Sequence, residues 1–144
     1  FVPVDQADTS PLGKPRVGRG LAYADIDADG DLDVVITETG GPAVLLRNDQ
    51  SEGHNWLRLR LQGPAGNREA IGAEVRVRSG ERVQRRYLTP TRSYLSQVER
   101  TLTFGLGNAA VDEVTVQWPD GTRSTHTDLS PNQLHELRPP QHAP

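Results

Sequence analysis

Asp25-Ile26-Asp27-Ala28-Asp29-Gly30-Asp31-Leu32-Asp33 sets five aspartates in strict alternation over nine residues, with a glycine at the sixth position. Carboxylates this crowded repel one another, and some take up protons unless a cation neutralises them. Calcium suits such a loop, because it accepts about six to eight oxygen ligands at about 2.3–2.6 Å in irregular geometry. The spacing assigns side-chain oxygens to Asp25, Asp27 and Asp29, the sharp turn to Gly30, a backbone carbonyl to Asp31 and closure of the site to Asp33. An EF-hand is excluded: it needs a bidentate Glu at the twelfth position between two helices, and that position is Ile36 within Leu32-Asp33-Val34-Val35-Ile36-Thr37, a β-rich run. The bland alternative is a solvated acidic turn, which gains nothing from strict alternation.

Other chemistry finds less support. With no cysteine, zinc–thiolate sites, disulfides and thiol nucleophiles are excluded. His126 and His135 fall on strands expected to be neighbours, but neither lies near a nucleophile-elbow sequence. Paired glycosidase carboxylates come from different strands across a cleft, not from one alternating loop. Gly105-Leu106-Gly107 is followed by no helix, so it is not a phosphate loop. The expectation is a protein that is not an enzyme.

The elements that must hold the loop are short strands. Apolar residues make up 34% of the 144, while 14 glycines and 11 prolines are spread along the chain, which suits many strands each burying one face. Strands are expected at 21–24 and 32–38 around the loop, and at 43–48. After a polar linker, Trp56-Leu57-Arg58-Leu59-Arg60-Leu61 alternates with period two. Further strands are expected at 70–77, 82–88, 101–104, 111–118, 122–127 and 133–137, with Val75 and Val77 facing inward and Pro119-Asp120-Gly121 a hairpin turn. Phe1-Val2-Pro3-Val4 reads as a short edge strand. No run of eighteen apolar residues exists, so no membrane span is expected. A chain that starts at Phe1 reads as a mature product or an excised piece.

Two stretches resemble known families. Gly18-Arg19-Gly20-Leu21-Ala22-Tyr23-Ala24-Asp25, Asp33-Val34-Val35 and Leu46-Arg47-Asn48 resemble an FG-GAP/VCBS repeat, in which each repeat is a β-propeller blade with calcium between its first two strands. Asp25, Asp27, Asp29, Asp31 and Asp33 match that family's metal positions. Asn67-Arg68-Glu69-Ala70-Ile71-Gly72-Ala73, Tyr94-Leu95-Ser96-Gln97, Phe104-Gly105-Leu106-Gly107 and Val114-Thr115-Val116-Gln117-Trp118-Pro119-Asp120-Gly121 resemble the ASPIC/UnbV domain, as in the cartilage acidic protein family. The resemblance implies an extracellular or cell-surface setting. The expected architecture is all-β: a propeller-blade-like calcium hairpin over 1–52, then an antiparallel β-sandwich or small barrel over 53–144.

One blade is present where a propeller needs about four to eight. A lone blade leaves an apolar face and a free edge, with Val34, Ile36, Val44 and Leu46 as its candidate buried positions. That predicts either packing against the second part or self-association through the N-terminal part, as a homo-oligomer or filament. The leading function is therefore a non-enzymatic extracellular calcium-binding adhesion or assembly module. The alternative is a carbohydrate-binding module. Residues 57–100 hold ten arginines against four glutamates, and a sheet face lined by them would take an acidic glycan or protein. Nucleic acid is not expected, since only Tyr87 and Tyr94 interleave with the arginines and no recognised nucleic-acid motif occurs.

Overall fold

A computed structural model describes residues 13–49 and 53–140. The strand expected at Phe1–Val4 lies outside the described residues. Ten strands and no α-helix are found among the described residues. Among the described residues, no helix is long and apolar enough to cross a membrane.

β1 (Gly18–Ala24), β2 (Asp33–Glu38) and β3 (Val44–Leu46) form an antiparallel sheet in chain order. The aspartate loop is the connection between β1 and β2, with Ala24 paired to Asp33 at its mouth. β4 (Asn55–Leu61) is the centre of a second sheet, between β7 (Leu102–Gly107) and β10 (Leu134–Leu137). The third sheet has the order β6 (Arg82–Tyr87), β5 (Glu74–Ser79), β8 (Glu113–Gln117), β9 (Arg123–His126).

The core lies between the second and third sheets. Leu57, Leu59 and Leu61 alternate into it from β4, Phe104 and Leu106 from β7, Val75 and Val77 from β5, and Val114 and Val116 from β8. Period-two patterning decides this, since one face of each strand must leave water. Trp118 is buried and satisfies its indole N–H on Ser124 Oγ at 3.0 Å.

The inward orientation of Val75 and Val77 is as the alternation predicts. Three details differ from the sequence expectation. β10 runs parallel to β4 rather than antiparallel, because the chain crosses from β9 in one sheet to β10 in the other instead of turning back. His126 and His135 are thus on strands of different sheets: His126 Nε2 lies 3.1 Å from Ser124 Oγ, and His135 Nε2 lies 2.8 Å from the Ser130 carbonyl. β5 starts at Glu74 rather than residue 70, because Ala70 and Gly72 have positive φ and Ala73 N–H closes a turn on the Ala70 carbonyl. Asn67 braces this turn, accepting from Ile71 N–H at 3.0 Å and donating to the Ile71 carbonyl at 2.9 Å.

The first sheet is built differently. None of its apolar residues joins the buried core. Val34, Ile36, Val44 and Leu46 are half-buried, while Val35 and Leu45 on the opposite face are exposed. Its buried polar residues are Asp25 and Asp33. The edge of β1 is covered by 94–99 of the second part, where Glu99 N–H donates to the Tyr23 carbonyl at 3.2 Å. Gly20 leaves space there: a Cβ on it would stand 2.8 Å from Ser96 Oγ.

Candidate metal centre

The loop opens at Asp25, directly after β1. Asp25, Asp27 and Asp29 each present an oxygen, and these atoms lie within 4.8 Å of one another. Asp27 and Asp29 are exposed, whereas Asp25 is buried. Ala28 and Gly30 have φ of 63° and 98°, and these left-handed residues fold the loop back so that alternate side chains converge. Gly30 is required twice over, because a Cβ there would also sit 2.3 Å from the Trp56 indole.

The Asp25 carboxylate is held from one side only. Oδ2 accepts from Gly30 N–H at 3.0 Å and pairs with Arg58 Nη1 at 2.9 Å. Oδ1 is buried and has no hydrogen-bond partner. A buried carboxylate oxygen without a donor is costly, and native structures satisfy nearly all such atoms. Asp25 is one of the three converging residues, so a cation bound among them would offset its buried charge. The residues present therefore fit a hard divalent ion.

The other two aspartates take different positions. Asp33 heads β2, and its two oxygens accept backbone N–H groups, from Ile26 at 2.9 Å and Asn48 at 2.8 Å. Those two bonds, first Ile26 and then Asn48, hold its carboxyl below the ordinary value of 3.8. Asp33 thereby ties the start of the loop to the chain after β3, and it does not join the converging group. Its oxygens keep further lone pairs for a metal. Asp31 donates its N–H to Asp29 Oδ1 at 2.9 Å. Its own carboxyl is pushed up, by desolvation first and then by Asp29, Asp25, Asp33 and Asp27. That repulsion is the one the alternating spacing forecasts. Arg47 offsets part of it, 4.0 Å from Asp27 and 2.7 Å from Asp49.

Three neighbours of the loop were not legible in the sequence: Trp56, Arg58 and Glu99. Alternation along β4 places Trp56, Arg58 and Arg60 on the face away from the core. Arg60 is exposed there, but Arg58 is buried, because the aspartate loop docks over it. The Arg58 guanidinium spans the boundary, with Nη1 on Asp25 and Nη2 donating to Glu99 Oε2 at 2.5 Å. Glu99 Oε1 accepts from Asp25 N–H at 3.4 Å. Desolvation raises the Glu99 carboxyl, and Arg58 opposes the shift. Arg58 and Glu99 lie 41 residues apart, so no local spacing in the sequence marks them as a pair.

Residues 63–144 match the ASPIC and UnbV family. Mouse cartilage acidic protein 1 is 30% identical over 131 residues, covering 86% of this chain and 20% of that protein. The human protein of that name is 32% identical over 109 residues, covering 72% of this chain and 16% of that protein. The chain thus spans about a fifth or less of the length of these relatives. An alignment that leaves out only 14% of this chain takes in the aspartate loop as well as the second part.

Proposed function

Because the chain belongs to the ASPIC and UnbV family, we propose that it is a non-enzymatic, calcium-binding adhesion or assembly module of an extracellular protein. The observation that carries this reading is the buried Asp25 carboxylate, with one oxygen unpartnered, in the group it forms with Asp27 and Asp29. The first sheet is read as an FG-GAP/VCBS-type blade. Asp25, Asp27 and Asp29 would hold the ion, with Asp33 and the Asp31 carbonyl completing its oxygen shell. The ion would neutralise the loop and supply no reaction step. An extracellular setting, proposed from the likeness to cartilage acidic protein 1, suits loops with dissociation constants of order 10⁻⁶ to 10⁻³ M. Titration calorimetry tests this: calcium should bind in that range and magnesium far more weakly, since magnesium demands tighter octahedral geometry. No heat of calcium binding up to several millimolar sinks the reading.

Assembly is argued from the first sheet. Leu21, Val35 and Leu45 are exposed on a sheet that buries no apolar side chain of its own. Such a surface invites a second copy. Sedimentation at micromolar concentration should show oligomers or filaments, and a clean monomer with and without calcium counts against assembly.

The second reading, an acidic-glycan site, is favoured by the outer face of the third sheet. Arg76, Arg78 and Arg123 line a groove of about 220 Å³ there with Glu74, Glu113 and Gln117. Glu74 draws in Arg76 at 2.5 Å and Arg85 at 4.0 Å, so much of the positive charge is already internally paired. Salt-sensitive retention on sulfated glycan would support this reading.

A further inference from the structure

The Arg58 contacts go beyond holding one aspartate in place. A buried arginine costs several kcal/mol in desolvation unless its charge is met. Here it is met by two carboxylates from different parts of the chain, Asp25 of the loop and Glu99 of the second part. Asp25 and Glu99 are joined again, by Asp25 N–H on Glu99 Oε1. Glu99 is also fixed through its backbone, by its N–H on the carbonyl of Tyr23 in β1, two residues before Asp25. Trp56, two residues before Arg58 on the same face, lies against Gly30 at the far end of the loop. The loop is thus gripped at its first and sixth residues by one strand face of the second part.

We propose that Arg58 and Glu99 form a charge-sharing clamp that couples divalent-cation occupancy of the aspartate loop to the seating of segment 94–99 on the edge of β1. This rests on the reading of the loop as a cation site. The physical argument concerns how the Arg58 charge is divided. While Glu99 takes one arm of the guanidinium, Asp25 is only partly neutralised, and its Oδ1 has no hydrogen-bond partner. Without the Glu99 charge, the whole guanidinium charge bears on Asp25 and competes with the ion. The negative charge near the loop also falls by one. Both effects weaken cation binding, so their sign is the same. By linkage, whatever seats Glu99 better also tightens the ion, and the ion tightens the seating of Glu99 by the same factor. Glu99 is therefore a positioning residue that touches no cation itself.

The test uses the full chain with calcium alone as the probe. Glu99→Gln keeps the shape of the side chain and removes its charge. Calcium affinity by calorimetry should fall about five- to twentyfold, within the range typical of coupled sites. Glu136→Gln, at an exposed carboxylate paired with Arg60, should change it less than twofold. Hydrogen exchange on the unaltered chain supplies the second readout. Calcium should slow exchange not only in 25–36 but also at the amides of 96–99, and Glu99→Gln should remove that distant protection. Exchange at Val75 and Val77 reports whether the variant is folded. Unaltered affinity in Glu99→Gln, or protection confined to 25–36, overturns the clamp while leaving the cation site standing. A flat calcium titration of the unaltered chain overturns both, so the two failures are told apart.

Discussion

At the residue scale, the loop shows how much a spacing can say. Alternation of five aspartates announces crowding, and Asp31 registers it: its carboxyl is raised by desolvation first and then by the four other aspartates. What alternation does not say is which carboxylates face a common point and which cap backbone N–H groups. Asp25 and Asp33 look equivalent in the sequence, yet one keeps a buried oxygen without a partner and the other has both oxygens bonded. That division depends on where Asn48 and Arg58 arrive from elsewhere in the chain. Gly30 carries the sharpest prediction at this scale. Its φ of 98° disfavours any L side chain, and its Cβ position overlaps the Trp56 indole. Gly30→Ala should cost about 1–3 kcal/mol of local strain and lower calcium affinity more than tenfold. Hydrogen exchange at Val75, Val77, Val114 and Val116 of the third sheet should be unchanged. Gly30→Ala binding calcium as tightly as the unaltered chain would show that the loop tolerates a different path.

At the element scale, period two was the informative signal, and strand partners were not. The inward sets of β4, β5 and β8 follow from alternation alone, because each strand has one face to bury. The parallel pairing of β10 with β4 could not follow from it, since a strand carries no mark of the direction of its neighbour. Nor could the burial of Arg58, because alternation says which way a side chain points and not what covers it. The outer face of β5 illustrates a further point. Glu74 accepts from the Tyr87 hydroxyl and from Arg76, which together hold its carboxyl below the ordinary value of 4.5. A depressed folded value means stability that is fully present above 4.5 and lost as pH falls through the folded value. Glu74→Gln should therefore be less stable than the unaltered chain at neutral pH. The gap should close as both are taken into acid below 4.5, read as converging denaturant midpoints. A gap that is constant with pH would mean that the loss is packing rather than charge. The same substitution releases Arg76 and Arg85, so it should strengthen any retention on sulfated glycan.

At the scale of the whole molecule, two parts are stabilised by unlike forces. The sandwich closes over a continuous apolar core whose members all lie between Leu57 and Leu137. The first sheet contributes none of them, and what it buries instead is Asp25 and Asp33. Hydrophobic burial is indifferent to calcium, while clustered carboxylates are not. A ligand that binds only the folded state stabilises it by about 2.7 kcal/mol at a hundredfold excess over its dissociation constant. That increment should fall on the first sheet, because the loop joins β1 to β2 and no apolar core there can compensate. Chelation should therefore speed hydrogen exchange across β1, β2 and β3 while leaving the amides of Val75, Val77, Val114 and Val116 protected. Asp27→Ala should reproduce this without chelator: Asp27 is exposed, and its removal leaves the Asp25–Arg58 pair and the Asp33 caps intact. The boundary between the two responses should run through 94–99, which belongs in sequence to the second part but bonds to β1. If that segment exchanges with the first sheet, the cooperative unit is defined by the Arg58 contacts and not by the chain order. If chelation loosens both parts equally, the sandwich depends on the loop as well, and the division into a calcium-dependent sheet and a self-sufficient core fails.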